Sequence, residues 1–206
     1  FPHAAGHVHR SPSLISLAAA RRRVAMQSSA GADILWLGDY PFYTIQPTAE
    51  MDDAFERNSA RVQAALGADQ VVSISRIGSS AVVGMPGTPV VDMVAVCKAW
   101  PPTAAQVHAL SDMGFDDHGL APHAGEDRWF YGGDEGAAPG TLGRSVVHVV
   151  REGNPWVAEA EAFVAYLSAV PEAFSAYRMV KLEGARLALE GREGMRLSEY
   201  KQRKHE

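Results

Sequence analysis

The run Val90-Val91-Asp92-Met93-Val94-Ala95-Val96-Cys97 constrains the fold more than any other stretch of the chain. Seven of its eight residues are apolar and four are valine, the pattern of a strand covered on both faces. Such a strand belongs in the middle of a sheet with helices packed on it, so the expected class is α/β (α+β): one small mixed sheet in a single domain. The exception within the run is Asp92. Burying a carboxylate costs on the order of several kcal/mol unless it meets a cation or collects hydrogen bonds, so its place demands a reason.

The surroundings agree with a layered domain. Met51, Phe55, Val62 and Leu66 share one face of a helix from Thr48 to Leu66, with Thr48 as N-cap and Gly67 as its stop. Val71 to Ile77 alternates as a half-buried strand should. Pro101 to Met113 reads as a short helix, and Phe115 to Glu126 as a polar loop. Trp129 to Tyr131 and Ser145 to Val150 read as strands joined by an exposed, glycine-rich hairpin connection. Ile34 to Pro47 mixes aromatics with a proline and suggests an irregular lead-in with an edge strand. From Pro155 onward the chain is helical. One helix carries Trp156, Ala160, Phe163 and Leu167, and the next carries Phe174, Tyr177, Val180 and Lys181.

Between the two central strands lies Arg76-Ile77-Gly78-Ser79-Ser80, followed by Gly84, Pro86, Gly87 and Pro89. A Gly-Ser turn leaving a strand can aim backbone N–H groups at an anion, and a serine hydroxyl adds a donor without bulk. Asp92, thirteen residues after Ser79, is then either a metal or substrate ligand facing the loop or a structural acceptor for the amides of Gly78 to Ser80. His148 in its apolar strand reads equally as a satisfied core histidine or as a general base. Arg128 is an anion contact or a surface ion-pair partner. Tyr177 and Lys181 stand one helical turn apart, suited to packing beside a cleft or reaching into it. His118 and His123 with their acidic neighbours read as a solvated loop, and Cys97 as inert core. No Ser-His-Asp order, Walker loop or dinucleotide fingerprint is present.

Charge divides the chain. Residues 1–32 hold four arginines and no acid, whereas the remaining 33–206 hold fifteen basic and twenty-four acidic residues, a net charge of −9. The acid-free, Ala-, Ser- and Arg-rich leader opening on Phe1-Pro2 has the composition of a plastid transit peptide, with red-lineage secondary plastids as the case it looks like. Read instead as a disordered tail at an arbitrary boundary, it leaves the domain in the cytoplasm. The acidic balance of the domain argues against DNA as a partner. No stretch reaches the roughly 20 apolar residues of a transmembrane helix. The single cysteine excludes an internal disulfide framework.

The segment from Arg76 to Met93 resembles the signature of the GrpB family, His-Ile-Gly-Ser-Thr-Ser/Ala-Val-Pro-Gly-Leu-x-x-Lys-Pro-Ile-Ile-Asp-Ile. Further matches follow in order: Phe55-Glu56, Gly114-Phe115, Arg128 with Phe130, His148-Val149-Val150, Phe163 to Leu167, Tyr177 with Lys181, and Tyr200 with Lys204. Together they cover about residues 45 to 206. The resemblance implies a nucleotidyltransferase-like core with C-terminal helices. It implies a nucleotide or other phosphorylated small molecule bound at Gly78, Ser79 and Ser80, with Arg76, Arg128 and Lys181 as further contacts. It also implies Asp92 as ligand to Mg2+, with His148 beside it, and from these Mg2+-dependent nucleotidyl transfer. The chain departs from the pattern at Arg76 for His, Ser80 for Thr, Val83 for Pro and Thr88 for Lys. The superfamily's second acid is Val94 here, so a two-metal centre is incomplete. Those departures imply the alternative of a catalytically degenerate accessory subunit in a larger protein complex, in a plastid if the leader is one.

Overall fold

The computed structural model describes residues 34–37, 40–120, 128–133 and 144–190. The leader 1–32, His123 and the closing Tyr200 and Lys204 lie outside these residues. A short antiparallel hairpin, β1 (Ile34–Leu37) and β2 (Tyr40–Tyr43), comes first. It stands apart from the main sheet rather than forming its edge. Helix α1 (Thr48–Leu66) follows, then β3 (Val71–Ile77) and β4 (Val90–Cys97). Next come α2 (Ala104–Asp112), β5 (Phe115–Leu120), β6 (Arg128–Gly133) and β7 (Arg144–Arg151). Two helices close the described chain, α3 (Pro155–Ala169) and α4 (Pro171–Glu190).

The sheet runs β3-β4-β7-β6-β5, with β4 parallel to β7 and every other pair antiparallel. The apolar strand β4 therefore has a neighbour on both sides, as its composition requires. Alternation along it sorts residues onto two faces. Val91, Met93, Ala95 and Cys97 join Val147, Val149 and Tyr131 in a core closed by Met51, Val62 and Leu66 of α1 and Leu110 of α2. Val94 and Val96 face the other way, with Ile77 and Val150, and meet Trp156, Val157 and Ala160 of α3. A third cluster, Val82, Met85 and Leu167 with Phe174 and Tyr177, joins the loop after β3 to the α3–α4 corner.

Several local expectations are corrected. The N-cap of α1 is Pro47, with Thr48 as the first helical residue, and no side chain caps it. Gly67 does end the helix, at φ 91° with its N–H bonded to the Gln63 carbonyl. Helix α2 starts later than Pro101, because Thr103 and Gln106 form a reciprocal capping box that fixes its first turn. Phe115 to Leu120 is an edge strand, not a loop. Its polar residues Asp116 to His118 are exposed, while Phe115 and Asp117 pair with Gly133 and Tyr131 of β6. Phe163 and Val180, expected on buried helix faces, are exposed.

Candidate functional site

The chain leaves β3 at Ile77 and turns at Gly78, whose φ of 68° and ψ of −171° suit glycine alone. Ser79, Ser80 and Ala81 form one 3-10 turn. The turn is tight because its own groups close it: the Ala81 N–H reaches the Gly78 carbonyl at 3.2 Å and the Val82 N–H the Ser79 carbonyl at 3.3 Å. Ser80 is buried, and its hydroxyl donates to the Ile77 carbonyl at 3.3 Å and accepts from the Asp92 N–H at 3.3 Å. That bond joins the loop to β4 through the Asp92 backbone.

The Asp92 carboxylate lies against Gly78. A Cβ placed on Gly78 would sit 3.1 Å from Asp92 Oδ2, so glycine there serves both the positive φ and the close approach. The carboxylate also acts on Tyr177 of α4: burial first, and the Asp92 charge second, push that phenol up to about 12. Tyr177 is therefore a protonated hydroxyl at neutral pH.

Lys181, one turn beyond Tyr177, completes the arrangement. Its ammonium donates to Ser79 Oγ at 2.6 Å, and the residue is only 3% exposed. It stands 5.7 Å from the Tyr177 ring centroid. Gly87 is equally constrained: a Cβ there would come within 2.9 Å of Lys181 Nζ and 2.7 Å of Gln46 Nε2. Gln46 is buried, and its Nε2 donates to the Thr88 carbonyl at 2.8 Å, whereas its Oε1 has no partner among the described residues. The lead-in from the hairpin holds this connection in place. Tyr43 and Gly87 exchange backbone bonds of 2.8 and 2.9 Å. Nothing in the sequence around Gln46 signals its role; only the folded path of the chain brings it to Gly87.

Gly78, Ser79, Ser80, Asp92 and Lys181 are thus one constellation, and the remaining sequence candidates lie elsewhere. Arg76 pairs in register with Met93 and so emerges on the α1 face of the sheet, opposite Asp92. Its guanidinium binds the Asp52 carboxylate and the Ser80 carbonyl, bracing the loop from behind. His148 shares Asp92's face but pairs with Val94, roughly 8 Å away across one strand and two residues. Its ring meets the Trp156 ring edge-on at 5.0 Å. Burial, then the Arg128 charge, pull its pKa down to about 4, so the imidazole is neutral at physiological pH. Arg128 stacks its guanidinium 4.1 Å from the Trp156 ring centroid. It pairs with Val150, two strands and four residues from Asp92, a separation of roughly 16 Å. His148, Arg128 and Trp156 form a second cluster, deeper along the sheet and distinct from the loop.

The position that would supply a second acid, Val94, is fully buried in the apolar cluster under α3. Among the described residues no group of three His, Cys, Asp or Glu side chains is placed to hold a metal ion. Cys97 is buried in the core, with its thiol pushed up to about 11 by desolvation.

A Gly-Ser turn feeding an aspartate-bearing central strand, in a mixed sheet with helices on both faces, defines an α/β domain. The chain matches the family described as GrpB protein over residues 44–206 and belongs to that family. Its fold is similar to that of a solved structure, the conserved protein GrpB from Enterococcus faecalis, with a TM-score of 0.56 and 18% identity. The match covers 78% of this chain and 93% of that one. At that identity the likeness establishes the fold alone. No curated protein matches the chain. Among the described residues no helix is long and apolar enough to cross a membrane.

Proposed function

We propose that this GrpB-family domain binds a nucleotide or another phosphorylated small molecule at the Gly78–Ser79 turn. The observation that carries the reading is the Lys181 ammonium, almost fully buried and bonded to Ser79 Oγ at 2.6 Å. It stands beside a turn of the kind that presents backbone N–H groups to an anion. It supplies from α4 the cation that Thr88 lacks. In the proposed complex the ligand phosphate takes the place of the Ser79 hydroxyl on Lys181.

Asp92 is a fitting ligand for one magnesium ion shared with those phosphates, since Mg2+ is commonly held by one or two carboxylates plus substrate oxygens. When bound, the ion supplies charge neutralisation on the phosphates, which nucleotidyl transfer requires. The Tyr177 phenol lies near enough to feel the Asp92 charge and stays protonated beside the proposed site. Calorimetry with a panel of nucleotides and Mg2+ tests this. Binding that Asp92→Ala and Lys181→Gln weaken is the expected result; no binding by any nucleotide refutes it.

The sealed Val94 favours a second reading, a domain that has lost turnover and acts as an accessory subunit of a larger assembly. Isolation from a native extract separates the two. A stoichiometric complex without turnover supports the second, and an active monomer the first. The acid-free leader supports import of the domain into a plastid, with cytoplasmic residence as the alternative, and import of a labelled precursor into isolated plastids is the test.

A further inference from the structure

Arg128 and His148 stand apart from the turn, in a cluster with Trp156. Arg128 opens β6 and pairs with Val150, two strands and four residues from Asp92, so roughly 16 Å separates the two residues. Its guanidinium lies 4.1 Å from the Trp156 ring centroid, and the His148 ring meets the same indole edge-on at 5.0 Å. Arg128, His148 and Trp156 are each half-buried, so the cluster reaches solvent while Trp156 packs on Val94, Val96 and Val150.

Among the described residues the Arg128 guanidinium has no counter-charge. No hydrogen bond or ion pair from them reaches it, and its Nε is sealed from solvent without a partner. Burial already lowers its pKa below the usual arginine value. The indole face offsets part of that desolvation by cation–π attraction, but it leaves the sealed N–H donor unsatisfied. The cluster carries this one positive charge. Arg151 pairs with Cys97 and emerges on the α1 face, Lys98 donates to the Asp69 carbonyl at 2.6 Å, and His148 is held neutral. The first turn of α3 adds the positive end of a helix dipole, although its Trp156 N–H is already taken by Asn154 Oδ1 at 3.0 Å.

We infer that this cluster is a second binding site, for a small monocarboxylate, with Arg128 as its anchor. A partly desolvated site with one positive charge is neutralised by a monoanion, whereas a polyphosphate would bring excess negative charge out of water. The planar fork of an arginine matches a carboxylate through two parallel N–H···O bonds, and the Trp156 face holds that fork in one plane. The site does not rest on phosphate binding at the Gly78–Ser79 turn.

NMR titration of the full chain with benzoate at constant ionic strength is the test. Saturable shifts of the His148 ring and Trp156 indole signals are expected, each signal identified by its loss in His148→Gln or Trp156→Phe. Bound carboxylate should also move the His148 titration midpoint up by roughly half a pH unit, because the Arg128 charge that depresses it is then paired. Arg128→Gln should remove the saturable shifts. Arg128→Lys keeps the charge without the fork and should weaken binding roughly ten-fold. Inorganic phosphate should bind more weakly than benzoate. No saturable shift with benzoate, shifts that survive Arg128→Gln, or phosphate bound as tightly overturns the inference. Glu126 and Asp127, just before β6 and outside the described residues, supply the rival occupant. If Glu126→Gln or Asp127→Asn opens benzoate binding that the wild-type chain lacks, the chain's own carboxylate fills the site and the inference falls.

Discussion

Replacing Gly78 by alanine tests the geometry on which the site depends. At φ 68° and ψ −171° the backbone occupies a region that alanine adopts only under strain, at a cost of roughly 1–3 kcal/mol. The new methyl would also stand 3.1 Å from Asp92 Oδ2, 3.5 Å from its Cβ and 3.6 Å from its Cγ. That contact is tighter than is usual in packed cores, so the carboxylate must give by a few tenths of an ångström. Against these costs, alanine restricts the unfolded chain and recovers about 0.4–1 kcal/mol. The net expectation is a loss of about 2 kcal/mol, or roughly 4–8 °C in Tm for a domain of this size. Gly153 supplies the control. Its φ of 80° imposes strain, but a Cβ there meets nothing within 4 Å, so Gly153→Ala should cost only about 1 kcal/mol. Thermal melts of both variants, with a double-mutant cycle through Asp92→Ala, separate strain from contact; the cycle should show a coupling of about 0.5–1 kcal/mol. A Gly78→Ala protein that melts no lower than Gly153→Ala, with no coupling to Asp92, refutes the argument that Gly78 makes room for the carboxylate.

Three further outcomes follow from groups outside the turn. His148 is held neutral, with its pKa near 4 in the fold against about 6.5 unfolded, so the unfolded chain binds the extra proton first. Stability should therefore fall by about 2–3 kcal/mol as pH drops from 6.5 to 4, and urea midpoints of His148→Gln should show a visibly flatter decline; parallel declines would remove His148 as the cause. Cys97 should resist a thiol-disulfide reagent in the native protein and react at the rate of unfolding, and prompt labelling would show the core to be open there. Thr103→Ala deletes the capping box of α2 and should cost about 1 kcal/mol by chemical denaturation, whereas no change would mean that packing alone sets that helix start.

The elements legible in the sequence were those with strong periodicity. β3 and β4 begin and end where alternation and the apolar run place them, and α1 spans the 3.6-residue pattern of Met51, Phe55, Val62 and Leu66. β5 was not legible, because Asp116 to His118 carry no strand signal. Its strand state comes from pairing with β6, where Gly133 leaves room for the Phe115 ring; a Cβ there would lie 2.4 Å from Phe115 Cδ1. The face of α4 was half legible. Phe174, Tyr177 and Lys181 turn inward, whereas Val180 turns out, because the loop after β3 selects the face and hydropathy alone does not. At the site, the Gly-Ser turn and Asp92 stand out locally. The convergence of Lys181 and Gln46 on Gly87 joins residues far apart in sequence and has no local signature.

Arg76 and Lys181 show why charge beside a loop in sequence does not identify the charge that serves it. Both cations hold the turn, but from opposite layers. Arg76 ties the Ser80 carbonyl to Asp52 of α1, so its two partners belong to the protein itself. Lys181 reaches from α4 to the Ser79 hydroxyl, in the turn proposed to hold the phosphate. The two should separate in their effects. Arg76→Gln breaks a brace and should lower the melting temperature while leaving the salt dependence of ligand binding intact. Lys181→Gln removes a charge-assisted bond of about 1.5–3 kcal/mol, which corresponds to roughly ten- to hundred-fold weaker phosphate binding. Its residual binding should also lose sensitivity to ionic strength, because the charge being screened is gone. Calorimetry of both variants between low and high salt decides the matter. If Arg76→Gln, and not Lys181→Gln, flattens the salt dependence, then the cation serving the ligand lies behind the sheet and the site assigned to the α4 face is wrong.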